Sequence, residues 1–186
     1  MKIRFLILSV ISLLMLSACS SDINEYKGTA PTLDIKNYFT GDIVAWGMLQ
    51  DYTDKVTRRF CVEINGSWQG RNGLLKETFY WNDGEISHRN WQLNKQTDGK
   101  YTGTAEDVNG VAKGQQQGFA FNWKYALQVP IGDSSYSFDI DDWMYQLDQY
   151  RVINKSKMYK LGIHVADITI FFNKKTSSKK CDLNPN

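Results

Sequence analysis

Charge of one sign is not in excess in this sequence. Its 186 residues carry 22 Lys and Arg against 20 Asp and Glu. That balance excludes a chain built chiefly to neutralise phosphates, so no nucleic-acid partner is expected. Proline is scarce, at 3 residues, and apolar residues make up 42%; this excludes collagen-like, low-complexity and disordered classes. No apolar run reaches the 18 or so residues that a spanning helix needs. Histidine is nearly missing: His88 and His164 stand alone, outside any metal-ligand spacing. There is no phosphate-binding glycine motif, and Ser87-His88 is not a nucleophile elbow. No metal, no cofactor and no catalytic residue are expected, and the chain is read as a non-enzyme.

The amino terminus reads as an address. Lys2 and Arg4 precede the apolar run Phe5 to Leu16, which is 12 residues long. As a helix that run is about 18 Å, short of a bilayer core of roughly 30 Å, and suits a signal peptide. It ends in Leu16-Ser17-Ala18-Cys19, which looks like a bacterial lipobox. Residues 1–18 are then the leader, and Cys19 is the lipidation site. Ser20 and Ser21 follow, with Asp22 only afterwards. Ser after the lipidated Cys resembles default export to the outer membrane, so the periplasmic face of that membrane is the expected location. Acyl chains at about 0.8 kcal/mol per buried CH₂ would make the anchor effectively permanent.

Three cysteines less the lipidated one leave Cys61 and Cys181. An oxidising periplasm makes a bridge between them plausible. In Val56 to Ile64 the alternation puts Phe60, Val62 and Ile64 on one face and Cys61 on the other, where a tail can reach it. Residues 174–186 read as a basic, solvated tail, and residues 19–36 as the lipidated terminus and linker.

Between them, residues 37–173 read as one all-β domain. Asn65-Gly66, Asn72-Gly73, Asp83-Gly84, Asp98-Gly99 and Asn109-Gly110 are five tight-turn signals. Phe119, Phe121, Trp123, Tyr125, Leu127 and Val129 alternate with small or polar residues, a period of two. The alternation slips between Ile140 and Trp143, which predicts a β-bulge near Asp141-Asp142, and again between Val165 and Ile168. About eight or nine strands are expected. Such a meander closes most economically into an antiparallel up-and-down barrel; a two-sheet sandwich is the alternative.

Candidate site residues follow from these faces. Trp46, Trp81, Trp91, Trp123, Trp143 and Tyr145 either line an apolar ligand cavity or simply fill the barrel. Arg58 shares parity with Phe60 and Val62, so an inward guanidinium needs a carboxylate partner, with Asp142 the first choice. Asp139, Asp141 and Asp142 either grip a polar headgroup or sit in a bulge satisfied by backbone and arginine.

Tyr26-x-Gly28-x-x-Pro31-x-Leu33-Asp34, Phe39-x-Gly41, Trp46-Gly47, Arg58-Arg59-Phe60 and above all Asp141-Asp142-Trp143-Met144-Tyr145 resemble a bacterial lipoprotein family catalogued as domain of unknown function 3833. The resemblance covers essentially the whole chain after the leader and implies no activity. The fold also resembles lipocalin-like (calycin) barrels. The expected role is an outer-membrane lipoprotein, its partners being the membrane, through its anchor, and an apolar or acyl small molecule. The alternative is an interaction or assembly-factor lipoprotein that docks another envelope protein.

Overall fold

A computed structural model describes residues 21–175 and residue 181. Cys19, residues 1–18 expected as the leader, and most of residues 174–186 lie outside the described residues. Ten strands form the fold: β1 (Gly41–Asp51), β2 (Val56–Gln69), β3 (Asn72–Trp81), β4 (Ile86–Lys95), β5 (Lys100–Thr104), β6 (Val108–Gln117), β7 (Ala120–Ile131), β8 (Ser134–Gln146), β9 (Arg151–Lys160) and β10 (Ile163–Asn173). Each pairs antiparallel with its sequence neighbour, and β1 pairs with β10, which closes the barrel. Closure leaves no exposed edge. The architecture is the up-and-down barrel expected, but with ten strands rather than eight or nine.

The strand that the sequence hides is β6. Its Val-Asn-Gly-Val-Ala-Lys-Gly-Gln-Gln-Gln lacks an apolar alternation, and Asn109-Gly110 suggests a turn. Instead Gly110, at φ +78°, sits in a bulge between Asn109 and Lys113. Asp83-Gly84 and Asp98-Gly99 do turn hairpins, with Asp98 and Gly99 both at positive φ. Asn65-Gly66 lies within β2. A Cβ on Gly66 would stand 1.8 Å from the Phe39 carbonyl oxygen, so glycine is required there by close approach.

The slip in β8 is not a bulge. The register against β7 runs unbroken from Ser134 to Tyr145. The inward face continues through Ile140 and Asp142 to Met144, so a carboxylate occupies a lumen position. Trp143 and Tyr145 point outward, where the Tyr26 ring covers them at 5.8 Å from each. The second slip is a real irregularity, between His164 and Ala166 of β10.

One barrel end is plugged. Helix α1 (Ile35–Tyr38) has only four residues and is too short to hold itself. Asp34 caps it by accepting from the Asn37 backbone N–H at 3.1 Å. Leu33, Ile35, Tyr38 and Phe39 around it are all buried in the core. The opposite end holds the β1–β2, β3–β4, β5–β6, β7–β8 and β9–β10 turns. No described element crosses it, so it is the mouth. Outside the wall, Cys61 is disulfide-bonded to Cys181 with Cα atoms 5.6 Å apart. The bridge holds Cys181 against β2, where its N–H donates to Glu63 at 2.7 Å.

Candidate functional site

The plugged half of the lumen is an aromatic core. Trp91 meets Trp123 edge-on at 5.6 Å, and Tyr101 meets Phe121 at 5.7 Å. These rings, with Ile35 and Phe39 of the plug, leave a chamber of about 60 Å³. That is room for about two water molecules, well below the few hundred Å³ of a small-molecule pocket. Filling by side chains therefore describes this half.

The middle of the lumen is different. Glu77 on β3 and Arg89 on β4 are directly opposite in the ladder, and both face inward. Arg89 donates to both carboxylate oxygens of Asp107, at 2.9 and 3.0 Å from Nε and 2.6 Å from Nη2. Its Nη1 lies 4.0 Å from Glu77 Oε2. Glu77 Oε2 is buried at the chamber wall with no hydrogen-bond donor among the described residues. Across the lumen Asp142 accepts from the Asn154 amide and from the Tyr125 hydroxyl, the latter at 3.5 Å. Ser156 donates to Asn154 at 3.1 Å.

Burial dominates the electrostatics. Loss of water pushes the Glu77 carboxyl from 4.5 to about 7, against the pull of Arg89. It pushes Asp142 from 3.8 to about 7, against its hydrogen bonds from Asn154, Ser156 and Tyr125. Tyr125 is pushed well up by burial and then by the charge of Asp142. Arg89 stays protonated because its carboxylate neighbours outweigh its own desolvation. One guanidinium thus faces the carboxyl groups of Asp107 and Glu77, with Asp142 across the lumen, and burial pushes Glu77 and Asp142 up to about 7. Such a cluster favours a hydrogen-bond donor or a cation over a further anion. Between it and the mouth, Leu49, Phe79, Trp81, Val129 and Phe138 are apolar and only partly buried.

The expected residues divide accordingly. Trp81, Trp91, Trp123 and Asp142 face the lumen; Trp46, Trp143 and Tyr145 do not. Trp46 stands outward on β1, opposite Cys61 and 39% exposed. Arg58 does not reach Asp142. It sits at the mouth, 2.7 Å from Asp83 and 2.8 Å from Glu85 on the β3–β4 turn, over the Trp81 ring at 3.9 Å. A carboxylate partner is nearer at the rim than across the lumen. Glu77, Arg89 and Asp107 escape sequence reasoning, and Tyr125 enters it only as one of the alternating aromatics of β7, although Glu77 and Arg89 carry a legible signal: each breaks the apolar parity of its strand. The larger concavity, about 840 Å³, is an open groove outside β2 to β6 lined by neutral amides, hydroxyls and apolar groups. It holds none of these ionisable groups, so the chemistry lies inside the barrel.

Among solved structures, an S-type phycobiliprotein lyase from Guillardia theta is similar in fold. Its TM-score is 0.56 at 8% identity, covering 75% of this chain and 90% of that one. At that identity the likeness is one of fold alone. No curated protein sequence matches. The profile described as protein of unknown function (DUF3833) matches residues 13–174, and with a match over most of its length this chain belongs to that family.

Proposed function

We propose that this protein is a non-enzymatic envelope lipoprotein whose barrel binds an apolar or acyl molecule carrying a hydrogen-bond-donating or cationic end. The observation that carries the reading is the ionisable cluster of Glu77, Arg89, Asp107 and Asp142 inside the barrel. Buried ion pairs are a poor source of stability, and carboxyl groups shifted to neutrality mark functional sites. The polar end of the ligand meets Glu77 and Asp142; its apolar part lies among Leu49, Phe79, Trp81, Val129 and Phe138 toward the mouth. The ligand enters there, because the plugged half has no room for it. The lipoprotein part rests on Leu16 to Cys19, which the family match takes in, and the outer membrane is the proposed site because Ser follows Cys19.

The test is native mass spectrometry of protein extracted from envelopes in mild detergent. The expected result is an apolar adduct on the wild type and none on Asp142→Asn or Glu77→Gln, both variants keeping a β-rich circular-dichroism spectrum. A wild type that carries no adduct, and takes none after incubation with fatty acids, fatty amines or phosphatidylethanolamine, overturns ligand binding. Metabolic labelling with an alkyne fatty acid separately tests Cys19: label on the wild type and not on Cys19→Ser is expected.

A further inference from the structure

The mouth carries apolar side chains where hairpin turns are ordinarily polar. Leu161 is 90% exposed, Tyr52 75%, Ile163 68%, Ile86 58% and Ile131 53%. They come from four hairpins, β1–β2, β3–β4, β7–β8 and β9–β10, so they are distributed around the opening. Leu161 is the sharpest case. Its φ is +51°, a conformation that favours Gly or Asn and disfavours a bulky side chain. Neither turn geometry nor burial accounts for leucine at that position. Leu147 and Tyr150 at the plugged end and Val111 and Trp46 on the wall are also exposed, but the four largest apolar exposures all lie at the mouth, and such a concentration marks an interaction surface.

We propose that this rim docks on a lipid surface of net-neutral headgroups. Five apolar side chains spread over four hairpins around an open lumen suit a bilayer, which accepts them at any rotation about the barrel axis; a protein would need a matching pocket for each hairpin. Charge selects the lipid. The turn segments 52–55, 82–85, 105–107, 132–133 and 161–162 carry Asp54, Asp83, Glu85, Glu106, Asp107 and Asp133; these outnumber Lys55, Arg58, which pairs with Asp83 and Glu85, and Arg89, which pairs with Asp107. An anionic surface is repelled by such a collar, whereas zwitterionic headgroups offer it an ammonium. Docking sets the lumen against lipid, and this deepens the proposed function by naming where its ligand is exchanged.

The tether sharpens the geometry and rests on the acylation of Cys19. The 3-10 turn Ile23–Tyr26 packs on Phe119 and Trp143 outside the plugged end. Cys19 lies three residues before Asp22 and so reaches about 10 Å beyond it. The 12 residues of β7 span about 40 Å, or about 30 Å along a barrel axis at the usual tilt. The acyl chains therefore cannot stand beside the mouth, and the surface that the whole rim docks is a second one, facing the anchoring leaflet.

Residues 21–186 contain every strand, the plug and both bridged cysteines, so they serve for the first test. In flotation with vesicles of phosphatidylethanolamine and phosphatidylcholine, this species is expected to rise with the lipid. The variant Tyr52→Ser, Ile86→Ser, Ile131→Ser, Leu161→Asn is expected to lose at least about tenfold in binding with an unchanged circular-dichroism spectrum. Adding phosphatidylglycerol should weaken the wild type. No flotation with any mixture, equal flotation of the variant, or binding that needs anionic lipid and vanishes in salt overturns the docking. In the second test, acylated protein anchored in one vesicle population should capture a second, unlabelled one through the same four residues. Flotation without capture overturns the opposed-surface geometry and leaves the rim's docking standing; an absent ligand adduct bears on neither.

Discussion

At the scale of the residue, Glu77 and Asp142 make stability depend on pH in an unusual direction. Both hold their protons in the folded state to about 7, whereas unfolded they release them near 4.5 and 3.8. Between these values the native state binds more protons than the unfolded one, so stability falls as pH rises and levels off above about 7. Chemical denaturation is expected to show the protein more stable at pH 5 than at pH 8, by something of the order of a few kcal/mol. Glu77→Gln and Asp142→Asn should each flatten that slope. A wild-type profile that rises from pH 5 to 8 would show that these carboxyls are ionised in the native barrel. The same two residues mark how far the sequence could be read. Asp142 falls on the apolar parity of β8, and a polar residue there looks like a phase slip. The pattern cannot distinguish a bulge from an intruding carboxylate, because both break the alternation once. Arg58 illustrates the complementary limit. Its need for a carboxylate was legible, but parity gives the face of a residue and not its height along the barrel, and height decides that Asp83 and Glu85 are its partners.

At the scale of the element, the plug depends on a contact that leaves little trace in composition. Gly66 in β2 lets the Phe39 backbone settle against the wall, and Trp68 donates its indole N–H to the same Phe39 carbonyl at 3.2 Å. Gly66→Ala would drive a Cβ into that backbone oxygen, which has no rotamer by which to yield. Overpacking of this kind costs about 1–3 kcal/mol and occasionally more. Gly73→Ala is the useful comparison: the atoms nearest its Cβ belong to the Trp68 ring, at 2.7 Å, a side chain that can shift at the cost of its hydrogen bond to Phe39. Urea denaturation should place Gly66→Ala below Gly73→Ala in stability, and equal midpoints would mean that the plug gives way instead. Strands β7 and β2 were legible because their inward residues are large and apolar. Strand β6 was not, because its inward positions are small: Ala112 is buried and Gly114 lies under the Trp123 and Phe121 rings. Where a neighbour's aromatic rings fill the lumen, a strand needs no bulky face of its own.

At the scale of the whole molecule, closure and covalent linkage do different work. The ladder between β1 and β10 runs from Val44 opposite Asn173 to Asp51 opposite Ala166, so the barrel is shut by hydrogen bonds whether or not the cysteines are joined. The Cys61–Cys181 bridge lies outside that circuit and joins Cys181 to β2, yet it spans a sequence separation of 120 residues. Its effect on the native state is therefore small, and its effect on the denatured chain is large: in the chain-entropy model a loop of this length is worth about 4–5 kcal/mol. In residues 21–186 the double variant Cys61→Ala, Cys181→Ala is expected to keep the wild-type far-UV spectrum and the same Trp environment around Trp91 and Trp123. Its denaturation midpoint should fall sharply, with a steeper dependence on urea because the unbridged chain exposes more surface when unfolded. A variant that loses its β-spectrum in the absence of denaturant would mean instead that the tail is needed to hold β2 in the wall. A midpoint that does not move would mean that the denatured chain is already compact enough for the bridge to constrain nothing.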